Sequence, residues 1–528
     1  MVSASALTAQ NLIANQISLG CGNLNTAYSP YVDNEGNYYI VSAVELGLGL
    51  PNLGNLTAES RGKTYMLITK YDEYHDIQWQ LSYGGDSLDF GHYYALDDGF
   101  LFACTSNSPI SGNKTIPSNG RNHIWLFKTD FDGNIVYQRG FYTNDDSGVN
   151  DIYKLNDGNL LISALASYGI SGDKTSTGYA GVDGWFIKID EDGNIIWDSA
   201  IGTNDDDNGF KIAGQFSNGD ILLWQSTFGL ASGAKTQDNF GLQNTWLIRI
   251  SNITGQIEWE KTIGGIENGE SLGDVKIIND KIYLITPSDS GIGGMRTVPK
   301  KGTRDIWFVV LNDSGEIIHQ TSLGGDGIES LARIIDFNVN TTRLGVRSDS
   351  NISIDKNESS RGMADIWYLE TDLFGNIQRQ KTIGGNHNDW LNYMGILNNS
   401  NLLFVASSRS GINGDKTIAR IASNSADIWI LEIDAVTLDV VNEHQIVNNS
   451  VLFPNPTSNH INITFSEPTK LNKLVLYDLN GKIVLEQNFD SSLEANYSLN
   501  AQGLSSGIYT LNLVGNGFVK TQQVSIEK

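Results

Sequence analysis

The stretch DGWFIKIDEDGNIIWDSAIGTNDD, residues 183–206, places two short runs of alternating apolar residues around the turn Asp190-Glu191-Asp192-Gly193, and it recurs along the chain. HIWLFKTDFDGNIVYQRGFYTNDD from His123, DIWFVVLNDSGEIIHQTSLGGDG from Asp305 and DIWYLETDLFGNIQRQKTIGGNHND from Asp365 align with it without gaps. The aromatic anchor occurs seven times, as Tyr65, Trp125, Trp185, Trp246, Trp307, Trp367 and Trp429, at intervals of 60 to 62 residues. A fixed period of this length sets the architecture before any local assignment does.

Each repeat reads as four strands. An inner strand follows a Gly-Gly pair and an acidic link; a turn such as Asn156-Asp157-Gly158 leads to an apolar second strand. A long polar loop then precedes the third strand, which carries the aromatic anchor, and an Asp-Gly hairpin leads into the fourth. An open sheet of so many strands would expose long edges, and closure into a ring removes them. The pattern therefore predicts an all-β, seven-bladed β-propeller over residues 11–441. Ile13-Ala14-Asn15-Gln16-Ile17-Ser18-Leu19-Gly20 copies the fourth-strand pattern of residues 317–324, so it is expected to complete the last blade and latch the ring. Residues 440–446 are the competing latch.

Composition agrees with many short strands and tight turns: the 528 residues include 56 Gly, 11 Trp and 21 Tyr but only 9 Pro. The formal charge of −25, from 60 acidic against 35 basic side chains, repels nucleic-acid phosphates, and nucleic acid is not an expected partner. Two cysteines, Cys21 and Cys104, allow at most one disulfide. No apolar run is long enough for a transmembrane segment. Residues 1–10 (MVSASALTAQ) read as the remnant of a secretory signal or a disordered start.

After Trp429 the period stops. Residues 442–450 form a polar linker, and residues 451–528 carry a different pattern of short strands, expected to form an immunoglobulin-like β-sandwich. Phe453-Pro454-Asn455-Pro456, Tyr477-Asp478-Leu479-Asn480-Gly481-Lys482, Leu504-Ser505-Ser506-Gly507-Ile508-Tyr509 and a last strand bearing Lys520 follow in order. Together they resemble the type A C-terminal sorting domain of the type IX secretion system of Bacteroidetes. That resemblance implies partners in an outer-membrane translocon and a sortase-like peptidase, and a secreted or surface-attached product reached through the periplasm. The repeats are similar, more loosely, to propellers of secreted Bacteroidetes proteins, which share no single activity.

Recurring residues divide into structure and candidate chemistry. An aromatic anchor at one position of every third strand is placed to pack between blades rather than to stack on sugars. The Asp-x-x-Gly turns at Asp130, Asp190 and Asp372 lack the ligand run of a calcium loop and read as hairpins. Asp183, Asp305, Asp365 and Asp427, two residues before the Trp, are expected to form a local salt bridge with loop cations such as Lys174 or Lys416, or to cap a turn.

The long loops, residues 111–122, 171–182, 232–243, 288–304, 350–364 and 410–426, fall on one face and are the expected recognition surface. Asp89, Asp146, Asp207, Glu270, Glu329 and Asp389 recur at the entrance to the inner strands. A ring of carboxylates there would hold a hard cation such as Ca2+ or bind sugar hydroxyls; the competing reading has each one capping backbone amides. The seven histidines show no metal-ligand spacing and no triad order. These features favour a non-catalytic surface binding or adhesion module with a glycan or protein ligand. The alternatives are a secreted glycan-active hydrolase or lyase using channel-mouth carboxylates, and a structural surface component.

Overall fold

The computed structural model describes residues 12–20, 25–45, 55–207, 209–267, 269–270, 273–338, 340–421, 425–435, 451–453, 457–469, 471–478, 482–489, 494–515 and 518–528. Residues 1–10, the linker at 442–450 and the alternative latch at 440–446 lie outside them, as does Cys21. The chain divides into two compact units, residues 1–435 and 436–528.

The first unit is a seven-bladed propeller. Blades two to six each hold four strands consecutive in sequence; in the third blade these are Ser147–Lys154, Leu160–Ser167, Val182–Ile189 and Ile195–Ile201. Second and third strands are apolar almost throughout, because neighbouring blades cover both of their faces, whereas fourth strands alternate toward solvent. Ile13–Leu19 pairs antiparallel with Asp427–Ile433, placing Leu19 opposite Ile428 and Ser18 opposite Trp429. The N-terminal strand is thus the fourth strand of the seventh blade. It also carries, between Ile13 and Asn15, the bulge that opens every other fourth strand, as between Lys188 and Ile189 of the third blade's pairing.

All seven anchors are fully buried. Each indole N–H needs an acceptor once buried, and the fourth strand supplies it. Trp125 donates to Gln138 (3.1 Å), Trp185 to Asp198 (3.0 Å), Trp246 to Glu260 (2.6 Å), Trp307 to Gln320 (3.1 Å) and Trp367 to Gln380 (3.0 Å). For Trp429 the acceptor is Gln16 of the latch, at 3.2 Å. The same side chains accept a backbone N–H from the preceding long loop, for example Thr115 to Gln138 (3.0 Å) and Thr417 to Gln16 (3.2 Å). Trp197 and Trp259 reach from fourth strands to carbonyls of the next blade's hairpin, Asn252 (3.0 Å) and Asp313 (3.2 Å).

The second unit packs two sheets, one of Val451–Phe453, His460–Thr469 and Glu494–Asn500, the other in the order Ile483–Asn488, Leu471–Tyr477, Gly507–Gly515, Phe518–Ile526. Its core is Ile461, Ile463, Phe465, Leu474, Leu476, Leu499, Leu511, Leu513, Val524 and Ile526. Seven antiparallel strands in two sheets match the immunoglobulin-like expectation.

Candidate functional site

The link carboxylates are built into the fold. Asp89, Asp207, Glu270, Glu329 and Asp389 are buried. Asp89 accepts from Gly85 N (2.8 Å) and Ser108 Oγ (2.6 Å), and Asp389 repeats this with Gly385 N (2.8 Å) and Ser410 Oγ (2.7 Å). Glu329 accepts from Gly325 N (3.1 Å), Ser348 Oγ and Ser350 Oγ, Asp207 from Thr203 N and Gln225 Nε2, and Glu270 from Asn244 Nδ2 and Ser288 Oγ. Asp146 stands one residue earlier than the others. Ser147 holds the buried place in that blade, and Asp146 is exposed, accepting from Asn122 N at 2.8 Å. The donors around all six are backbone amides, hydroxyls and side-chain amides, as in a capping arrangement, while Asp89 Oδ1 and Asp389 Oδ1 are buried without a hydrogen-bond partner among the described residues. Among the described residues no three of His, Cys, Asp or Glu converge as a metal site.

The Gly-Gly signature follows from the same packing. A Cβ on Gly384 would lie 2.2 Å from Asp365 Oδ1, and one on Gly385 would lie 2.7 Å from Ser410 Cβ. The first glycine makes room for a carboxylate and the second for the loop serine.

The hairpin aspartates are also committed to the backbone: Asp130, Asp190 and Asp372 accept the amide of the Asn four residues on at 2.8, 2.8 and 2.9 Å. These are Asx turns, with the glycine at positive φ, 79° at Gly193.

The loop cations behave differently from the expected local salt bridges. Lys114, Lys174, Lys235, Lys356 and Lys416 are buried. Lys174 Nζ donates to the carbonyls of Tyr168, Gly169 and Ser176 (3.3, 3.2 and 2.7 Å), and Lys114 to those of Ser108 and Ile116 (2.7 and 3.2 Å). Each loop therefore wraps its own ammonium. Where arginine replaces lysine a direct ion pair forms, with Arg296 donating to both oxygens of Asp305 at 2.9 and 2.7 Å. The planar guanidinium reaches both the carboxylate and a loop carbonyl, which an ammonium caged by carbonyls does not. Burial pushes Lys114 and Lys356 down to about 8.

The aspartates two residues before the Trp respond in the opposite sense. Burial pushes Asp183 up to about 6 and Asp365 up to about 7, with the neighbouring charges of Asp207 and Asp389 adding to the effect. A carboxyl whose folded pKa exceeds its unfolded value favours folding at low pH, and that contribution is lost as pH rises from about 4 through about 7. Asp365→Asn should therefore raise propeller stability at pH 8 by on the order of 3 kcal/mol and by much less at pH 4.5. The fourth blade already carries Asn244 at this position, donating to Glu270 at 2.8 Å. Calorimetric melts of both proteins at the two pH values check this; an equal shift at both, or a loss at pH 8, contradicts it.

What the cages support is a row of exposed tips. Ile110, Ile170, Ile292, Ile352 and Ile412 occupy one position in their loops, Leu230 stands one residue before that position in its own, and the six are 63%, 65%, 65%, 67%, 67% and 69% exposed. Directly after the five isoleucine tips, and one residue beyond Leu230, the loop closes into a four-residue turn such as Ser111 to Lys114, with backbone bonds of 3.2 and 3.0 Å. The Ser-Gly-x-Lys-Thr signature of residues 111–115, 171–175 and 232–236 marks both features in the sequence, and reading the loops as merely polar misses it.

In the second unit, Tyr509 is buried, with its hydroxyl donating to Ser505 O at 2.9 Å, and Asp478 closes the hairpin by accepting Lys482 N at 2.9 Å. Gly507 opens its strand and Lys520 lies in the last one. Pro454, Asn455, Pro456 and Gly481 lie outside the described residues. Residues 451–527 match the family model described as a secretion system C-terminal sorting domain. This segment is a type IX sorting domain. The sorting domain marks the protein for export, to the cell surface or the surroundings, and implies contact with the type IX machinery. Among the described residues no helix is long and apolar enough to cross a membrane.

No curated protein matches the chain. Similar solved structures include a Bacteroides caccae protein of unknown function (11% identity, 60% of this chain and 90% of that one, TM-score 0.31). The Pan2 WD40 domain of Neurospora crassa matches at 9% identity over 77% and 89% of the two chains, with a TM-score of 0.41. A PL25 ulvan lyase matches at 11% identity over 80% and 99%, with a TM-score of 0.42. At such scores none of these carries an argument about chemistry.

Proposed function

We propose that the propeller is a non-catalytic binding or adhesion module of the cell surface, and that its long-loop face holds the partner. The observation that carries this reading is the set of six aliphatic tips, each more than three-fifths exposed, on loops fixed by buried cations. Aliphatic side chains held out to solvent on the same loop of six blades have no role in packing a blade, and their recurrence on one face suits contact with a partner. Sugars stack preferentially on aromatic faces, so six aliphatic tips suit a protein partner better than a glycan. A sortase-like peptidase is the second proposed partner, acting at the sorting domain.

The test replaces all six tips with serine. Exposed substitutions of this kind change stability little, so the melting temperature should hold. Binding of the purified chain to surface-protein and glycan arrays should fall at least tenfold on its strongest protein hits. Undiminished binding by the six-serine protein removes the loop face from the function, and turnover of a polysaccharide by the parent chain replaces the reading with an enzymatic one.

A further inference from the structure

The inner strands carry a second ring, at a level defined by register. In each blade one inner-strand residue lies opposite the second-strand residue that precedes the partner of the aromatic anchor. These are Thr26 (opposite Ala43), His92 (Ala103), Asp151 (Ser163), Lys211 (Trp224), Asp274 (Ile285), Arg333 (Gly345) and Tyr393 (Val405). All seven are polar, and five different chemistries are present. Where folding dictates a residue, the repeats agree, as at the anchor, its acceptor and the loop cation. Here they differ from blade to blade, the pattern expected of side chains chosen for a ligand.

The side chains of different blades act on one another. The charges of Arg333, Asp151 and Asp274 act on the Tyr393 phenol, and those of Lys211 and Asp151 on His92. Lys211 feels Asp151, Arg333, Asp274 and Lys276, and the rings of Tyr28 and His92 meet edge to face at 5.3 Å.

Which of these groups are free decides the ligand. Asp151 accepts from Ile152 N and Ile212 N, both at 3.0 Å, and Asp274 from Val275 N (3.0 Å) and Ile334 N (3.1 Å). The two carboxylates tie adjacent inner strands together. Lys211 Nζ donates to Asn150 O. By contrast, the side chains of Arg333, Lys276, His92, Tyr28 and Tyr393 make no hydrogen bond to another protein group among the described residues, and Asn150 Nδ2 is buried without an acceptor. A buried orphan donor calls for a partner the protein does not supply.

The free groups are thus two cations, two phenols, an imidazole and an amide: mostly donors, with aromatic faces among them. They suit an anion that also bears hydroxyl groups and an apolar ring face. The carboxylates at the same level oppose a multiply charged ion such as phosphate and admit a single negative charge. We propose that the central channel binds a carboxylate-bearing sugar, with Arg333 and Lys276 on its carboxylate and the Tyr28, Tyr393 and His92 heads on its hydroxyls. This site is separate from the loop face.

Calorimetric titration of the full chain tests the assignment, using a glucuronate-containing disaccharide, a galacturonate-containing disaccharide, a neutral glucose disaccharide, and inorganic phosphate and sulfate. At least one acidic disaccharide should bind, at least tenfold more tightly than the neutral one. Arg333→Gln should weaken it tenfold or more and Tyr393→Phe severalfold, with melting temperatures unchanged. Lys276→Gln provides the same test should Arg333→Gln fail to fold. The six-serine loop variant should keep its sugar affinity, which separates this site from the proposed loop function. The assignment is overturned by no binding of either acidic disaccharide at millimolar concentration, by channel variants that leave the affinity intact, or by phosphate or sulfate binding as tightly as the sugar.

Discussion

Deletion of Ile13–Leu19 is expected to destabilise the propeller by at least ~5 kcal/mol, within the ~5–15 kcal/mol that holds a typical domain together. Three losses coincide. The pairing of this strand with Asp427–Ile433 disappears, leaving the seventh blade with an open edge. Trp429, fully buried, loses the Gln16 acceptor of its indole N–H, and Thr417 N loses the same oxygen. Leu19, 1% exposed, leaves the core it shares with Ile428 and Tyr65. An orphaned buried donor alone costs about 1–3 kcal/mol, so Gln16→Ala should show a corresponding part of the effect. Thermal unfolding gives the size of the loss, and size-exclusion chromatography should show the deleted protein associating through its exposed edge. A deletion protein that melts with the parent would mean that the ring does not depend on this strand.

The latch also shows what could be read in the residues. Its resemblance to other fourth strands was visible because side chains in a repeat protein face the same neighbours in every blade. The period, the four-strand unit and the closing strand were legible for that reason. The cation cages were not, because a lysine in a polar loop looks solvated, and only the fold shows that Lys174 lies under the carbonyls of Tyr168, Gly169 and Ser176.

The candidate site was legible in part. Recurrence drew attention to Asp89 and its equivalents, and recurrence is what a capping role produces. The channel ring was hidden for the opposite reason: Thr26, His92, Asp151, Lys211, Asp274, Arg333 and Tyr393 share no residue type that a repeat search would align. Bulges in several inner strands, such as that between Val149 and Asp151, also shift their spacing. The proposed channel site lies where the repeats disagree, and register is needed to see it.

Removal of Phe518–Lys528 is expected to abolish secretion while leaving the propeller folded. Within its sheet this strand lies at the edge, paired with Gly507–Gly515, but it supplies Val524 and Ile526, each 1% exposed, to the sandwich core. It also joins the two sheets, since Thr457 N donates to Ser525 O and Glu527 N to Thr457 O, both at 2.9 Å. Loss of two buried aliphatic side chains costs about 2–5 kcal/mol each in a unit of this size, before the backbone bonds are counted. A small sandwich has little stability to lose and should unfold. The propeller buries its own anchors and closes its own ring, so it should accumulate in the periplasm with an unchanged melting temperature. Val524→Asp offers a milder version, placing a charge in the core without shortening the chain, and should reduce export in the same direction. Conversely, residues 451–528 fused to an unrelated periplasmic reporter should carry it to the surface or medium of a host with the type IX system. Immunoblots of periplasm, membrane and medium read all three outcomes. Normal secretion of the truncated protein, together with retention of the fusion in the periplasm, would mean that this domain does not direct export in this chain.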